Sequence, residues 1–190
     1  MLADTLNFFI QTLGGLFAVA LLLRFLMQWL RVPFSNPFAQ FIIRITNFAV
    51  KPVRRVIPGW GGLDWASLML AWLAEVLVAA AMLWVKDFPF GLAGSKVWLA
   101  LLGLGAIELV KLTLYMAMGL VLVRAVLSWV NPYSPISPVV YPLTEPLLVP
   151  FRRLLPQAQI DLSPMLFLIL CQFLLVVPIA ALERAARSLF

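Results

Sequence analysis

The chain has 190 residues, 64% of them hydrophobic and 12% charged, with a formal net charge of +6; mean hydropathy is +1.03 and the pI about 10.1. A soluble domain averages roughly 45–50% apolar and ~25% charged residues, so this composition excludes a soluble enzyme or binding module and points to a protein dissolved in a bilayer. Histidine is absent and Cys171 is the single cysteine, which argues against histidine-ligated haem, zinc sites, histidine-activated nucleophiles and internal disulfides.

A helix crosses about 30 Å of hydrocarbon with roughly 17–25 mostly apolar residues. Residues 5–23 form the first such stretch, free of charge. Residues 1–9 lack the basic segment and small-residue cleavage site of a signal peptide, so this stretch is read as a retained span. Arg24 stands near its end, from where its guanidinium can snorkel to the headgroups. The connector that follows has Asn36 as an N-cap and Pro37 in the first turn. Phe38, Phe41, Ile42, Ile45 and Phe48 then recur on one helical face, and Gln40, Arg44, Asn47 and Lys51 on the other. That pattern predicts an amphipathic helix with a basic face, lying in the membrane interface.

"PVRRVIPGWGGLD", residues 52–64, ends this connector. Proline stops the helix, glycine reverses the chain, and Asp64 falls at or near the N-cap of the second span, residues 63–85. Glu75 lies eleven residues further on, about 16 Å along the axis and near the bilayer centre, where a charge costs at least ~2.5 kcal/mol. It requires protonation or a partner, with Lys111, Arg24 and Gln28 as candidates, and an interhelical hydrogen bond is the favoured expectation.

Residues 97–130 would measure about 51 Å as one helix, too long for an upright span. Glu108 and Lys111 mark a division, predicting a short interfacial helix over 97–107 and the true span over 109–130; the alternative is one long tilted helix. Arg124 stands near the far end, again able to snorkel. The second connector, "PVVYPLTEPLLVP" at 138–150, carries internal prolines, so short turns or a broken helix are expected. Residues 162–182 form the fourth charge-free span, with Cys171 as a small buried hydrophobe.

The chain repeats itself. Arg24 and Trp29 match Arg124 and Trp129 at an offset of 100 positions; Pro52, Arg54, Arg55 and Pro58 match Pro150, Arg152, Arg153 and Pro156 at 98; Asp64 matches Asp161, and Glu75 matches Gln172, at 97. The expected fold is an all-α membrane protein with four transmembrane helices, arranged as two tandem helical hairpins of the same orientation. Repeat 1 covers residues 1–86, a linker with the short interfacial helix covers 87–108, and repeat 2 covers 109–190. Arg54, Arg55, Arg152 and Arg153 are read as latches onto Asp64 and Asp161, or as a surface for lipid phosphate or a partner's acidic segment. Bidentate pairing makes arginine better suited than lysine to either role. The connectors hold seven lysines and arginines and the opposite side four, which places the connectors in the cytoplasm and both termini outside. Topology accounts for the positive charge, so no direct nucleic-acid partner is expected.

The sequences "RFLMQW…NPFAQFIIRIT…KPVRRVIPGWGGLDWASL" and "SWV…PLTEPLLVPFRRLLP…IDLSPM" resemble the YggT family, called YlmG in other bacteria and in chloroplasts, over nearly the whole chain. The resemblance implies a small integral membrane protein without a settled biochemical activity. Its relatives are associated with the division-gene neighbourhood, tolerance of osmotic shock, and nucleoid distribution and cytochrome assembly in plastids. The second connector reads "PQAQID" without the glycines of "PGWGGLD", so the two turns are expected to differ. Two functions stand open. The first is a non-enzymatic, cofactor-free inner-membrane scaffold or assembly factor, whose basic face binds anionic headgroups and a membrane protein partner or a second copy of itself. The second is an oligomeric ion or solute channel used in osmotic adaptation, for which Glu75 is the intramembrane site; its counterpart Gln172 cannot titrate.

Overall fold

The computed structural model describes residues 1–92, 94–154 and 161–188, and among these all regular structure is helical. In chain order the helices are α1 (Leu2–Trp29), α2 (Pro37–Arg54), α3 (Trp65–Val85), α4 (Ser95–Val130), α5 (Ser137–Leu154), α6 (Ser163–Leu174) and α7 (Ala180–Arg187). A single π-type turn over Leu175–Ile179 joins α6 to α7, and Pro178 lies within it. A wider turn of this kind accommodates a residue that has no N–H to donate. Four helical runs are long and apolar enough to cross a membrane: Leu2–Trp29, Trp65–Val85, Ser95–Val130 and Ser163–Arg187. Exposed tryptophans stand near both ends of these runs, Trp29, Trp65 and Trp129 at one and Trp84 and Trp98 at the other, as in the aromatic belts of membrane proteins.

Helices α1 and α3 pack antiparallel over most of their length. Small residues permit close approach where a lipid solvent offers no hydrophobic drive between helices. A Cβ on Gly14 would collide with Val78, and one on Gly105 would stand 3.1 Å from the Cα of Val76. Leu101 and Leu104 of α4 pack with Val76 and Ala79 of α3. Further along α4, Val121 packs with Leu148 of α5 and with Phe167 and Cys171 of α6. One helix thus contacts both halves of the chain.

The division expected at Glu108 and Lys111 is absent: α4 is one helix of 36 residues, with no separate interfacial helix over 97–107. No proline interrupts it. Its charges also find partners inside the protein, because Lys111 pairs with Glu108 at 3.0 Å and with Glu183 at 2.7 Å. A helix that can neutralise its charges in place has no need to break at the membrane surface.

The second connector is likewise a continuous helix, α5, rather than broken turns. Pro138, Pro142, Pro146 and Pro150 are spaced by four, so the N–H that each of the last three lacks would have bonded to the carbonyl of the proline before it, while Pro138 stands in the first turn, where no such bond is made. The lost bonds fall in one row, and the remaining rows carry the helix. The two connectors meet at one end of the bundle. Asn36 Nδ2 donates to the Pro135 carbonyl at 2.7 Å, and Ala39 and Ile42 share a core with Val139 and Leu143.

Candidate functional site: two arginine–carboxylate networks beneath the connectors

Asp64 caps α3, its Oδ1 accepting from the Ser67 N–H at 3.3 Å and its Oδ2 from the Ser67 hydroxyl at 2.6 Å. Two arginines converge on this one carboxylate. Arg54, from the last turn of α2, is bidentate, with Nε donating to Oδ1 at 3.1 Å and Nη2 to Oδ2 at 2.5 Å. Arg24, from α1, donates from Nε to Oδ2 at 3.2 Å, and from Nη1 to Thr46 Oγ1 at 2.9 Å and Asn47 Oδ1 at 3.0 Å. Asp64 is 0% exposed and Arg24 5%. Gln28 completes the ring, accepting from Arg54 at 2.9 Å and donating to the Gly62 carbonyl at 3.1 Å. The turn that returns the chain to Asp64 needs its glycines, since Gly61 and Gly62 have φ of +66° and +79°.

Burial alone would raise the Asp64 pKa. The hydrogen bonds from Arg54 and Ser67 and the Arg54 charge outweigh it, so the carboxyl lies below its ordinary range. The three helices of the first half are therefore tied together by one ionised group.

In the second half the same positions make a longer chain of contacts. Arg124 donates from Nη1 to Thr144 Oγ1 at 3.0 Å and from Nη2 to Glu145 Oε2 at 2.6 Å, and its guanidinium lies 5.1 Å from the Tyr141 ring centroid. Arg152 donates to Glu145 at 2.8 Å and to Asp161 at 2.9 Å, while Asp161 accepts from the Ser163 N–H at 3.0 Å. Partial burial would raise Asp161; bonds from Ser163 and Arg152 outweigh it here too, and its carboxyl is held low. Thr46 and Thr144, 98 positions apart, also donate to matching carbonyls, Ile42 and Val140.

The predicted residues divide sharply. Arg24, Arg54 and Asp64 come together, as do Arg124, Arg152 and Asp161 through Glu145. Arg24 and Arg124 do not snorkel to the headgroups: both turn inward, because Thr46 with Asn47, and Thr144 with Glu145, offer acceptors within the protein. Arg55 and Arg153 are exposed on the connector surfaces, away from both networks, as are Arg44 and Lys51. The apolar side of α2 splits in two. Ile42 joins the buried row of Ala39, Thr46 and Val50, whereas Phe41, Ile45 and Phe48 are exposed, with Phe48 stacked on Phe17 of α1.

Glu75 does not form the expected interhelical hydrogen bond. Among the described residues it has no hydrogen-bond or ion-pair partner, for Arg24 and Gln28 are held around Asp64 and Lys111 by Glu108 and Glu183. Gln172 faces outward from α6. The contrast expected between the two connector turns concerns residues 155–160, outside the described residues. Thr46, Asn47, Ser67, Thr144 and Glu145 were not singled out as site residues. The signal for four of them, all but Ser67, was present in the repeat itself, where "ITN" and "LTE" align at the same offset of 98 as the arginine pairs.

A family model for CCB3/YggT matches residues 3–85 and 104–182, which include both networks. The chain belongs to the CCB3/YggT family. YggT of Escherichia coli strain K12, an uncharacterized protein, is 38% identical over 169 residues, covering 88% of this chain and 85% of that one. An uncharacterized protein of Pseudomonas aeruginosa is 38% identical over 188 residues, covering 96% and 93%. A Vibrio alginolyticus protein from the region 3′ of proC is 35% identical over 173 residues, covering 90% and 91%. No solved structure matches the chain. The four long apolar helices suggest a multi-pass membrane protein.

Proposed function

We propose that this protein is a non-enzymatic scaffold or assembly factor of the bacterial inner membrane, built as two tandem hairpins of the same orientation with the connectors in the cytoplasm and the termini outside. Its connector face binds anionic lipid headgroups and docks a membrane protein partner, or a second copy of itself, in division, membrane-complex assembly or envelope stress. One observation carries this reading. The arginines that could be satisfied internally are satisfied, while Arg44, Lys51 and Arg55 remain exposed beside the exposed Phe41, Ile45 and Phe48. A cationic rim bordering an apolar strip suits an amphipathic helix at the headgroup boundary, each cation adding about 1 kcal/mol on an anionic surface. The positive-inside rule assigns that face to the cytoplasm.

The test is photocrosslinking in native membranes from positions within 38–58, together with the anionic lipid that copurifies with the protein. Changing Arg44, Lys51 and Arg55 to glutamine should reduce the retained lipid several-fold and abolish the crosslinks, with thermal stability unchanged. Crosslinks and lipid that persist in this variant would refute the reading, as would connector tags labelled from outside the cell. The second reading, an oligomeric channel or transporter, has one observation in its favour: the cavity at Glu75.

A further inference from the structure

A cavity of about 470 Å³ lies between α1, α3, α4 and α7, on the side of the bundle away from the connectors. It reaches from Lys86, at the end of α3, inward to Glu75, eleven residues or about 16 Å away along the helix. The charged groups facing it are Glu75 and Lys86 from α3, Glu108 and Lys111 from α4, and Glu183 and Arg187 from α7; Gln11 of α1 and Tyr115 of α4 add neutral polar groups.

Four of these charges satisfy one another. Lys111 bridges Glu108 and Glu183, and Arg187 reaches Glu183 at 2.8 Å and Glu108 at 3.5 Å. Two negative and two positive groups leave that network neutral. Lys86 is exposed at the rim, where solvent screens it. Glu75 is left over, 8% exposed and without a hydrogen-bond or ion-pair partner among the described residues. A lone carboxylate at this depth needs one compensating positive charge, because an isolated buried ion is far too costly to persist.

We propose that this cavity is a binding site for a single monovalent cation, with Glu75 as its anionic contact. One unit of charge balances Glu75, whereas a divalent ion would leave an excess in a low-dielectric site. Gln11 and Tyr115 supply oxygen dipoles at the same cavity. The bound ion is an alkali-metal ion or a small ammonium, beside the Lys111–Glu108–Glu183–Arg187 network, whose two positive and two negative groups cancel. The site is separate from the connector face, so the two proposals fail independently.

The test uses the full-length protein in a mild detergent. Its unfolding midpoint is followed as sodium, potassium or methylammonium chloride replaces N-methylglucamine chloride at constant ionic strength. The infrared carboxyl stretch is recorded at neutral pH on the same samples. A bound metal ion or ammonium should raise the Tm in proportion to the logarithm of its concentration above Kd, and Glu75→Gln should abolish the rise while Lys86→Gln leaves it intact. A Tm indifferent to salt, with a protonated-carboxyl band that Glu75→Gln removes, overturns the proposal, since Glu75 is then neutral and needs no ligand. Glu75→Asp keeps the charge but withdraws it by one methylene, so it should weaken the salt response several-fold. It serves if the glutamine variant does not fold. An ionised carboxylate with no salt response overturns the proposal, as does a response unchanged in the Glu75 variants.

Discussion

The two halves of the molecule use matching arginines to different ends. In the first, Arg24 and Arg54 share the single carboxylate of Asp64, which is wholly buried. In the second, Arg124 and Arg152 share Glu145, and Arg152 continues to Asp161; the side chains of Glu145 and Asp161 are 47% and 44% exposed. The difference turns on one aligned position, Asn47 against Glu145. A neutral amide gives Arg24 one acceptor and leaves its charge to be met by Asp64, drawing α1 down onto the start of α3. A glutamate meets Arg124 directly, and Asp161 is left to Arg152. Identical arginine spacing can therefore produce a buried knot or an exposed chain of ion pairs, according to which side chain follows the threonine.

Breaking the knot should have the largest effect. Asp64→Asn strands Arg24 in a buried position and should cost roughly 3–5 kcal/mol, whereas Asp161→Asn should cost about 0–1 kcal/mol; thermal unfolding in one detergent compares them directly. Arg54→Ala removes a bidentate charged contact and should cost about 1.5–3 kcal/mol, more than Arg152→Ala at its half-exposed site.

Acid should expose the same contrast without mutation. The Asp64 pKa is depressed in the folded state, so its stabilisation is present above the ordinary aspartate value of about 3.9 and is lost as pH falls through the lower folded value. Unfolding curves from neutral pH downward should show this loss in wild type and not in Asp64→Asn, with a smaller loss assigned to Asp161. Glu145→Asn, which makes the second half resemble the first, should cost about 1 kcal/mol and release Arg124, detectable as faster exchange of α5 amides. The smallest changes belong to Arg55→Ala and Arg153→Ala, each within about 0.5 kcal/mol by unfolding.

The spans were legible because lipid demands an unbroken apolar length, and the cap at Asn36–Pro37 because it is a local signal. The meeting of Arg54 with Asp64 could be read from a spacing written twice. The inward turn of Arg24 could not. A cation one or two turns from the end of a span suits headgroups and protein equally, and only the tertiary approach of Thr46 and Asn47 decides. Continuity of α4 was hidden for a related reason, since Lys111 finds Glu183 72 positions away. In α5, prolines that would break a helix if scattered are tolerated when every fourth residue places the defects in one row.

The length of α4 has a mechanical consequence. Thirty-six residues rise about 54 Å, against roughly 30 Å of hydrocarbon. Tilt alone within the observed range of 0–40° cannot absorb the excess, so the ends stand in the headgroup layers. Because the early turns of this helix grip α3 and the later ones grip α5 and α6, a thinner or thicker bilayer alters its lean. Any such change in lean is passed to the two bodies it joins, as a rod hinged at both ends transmits a change of angle.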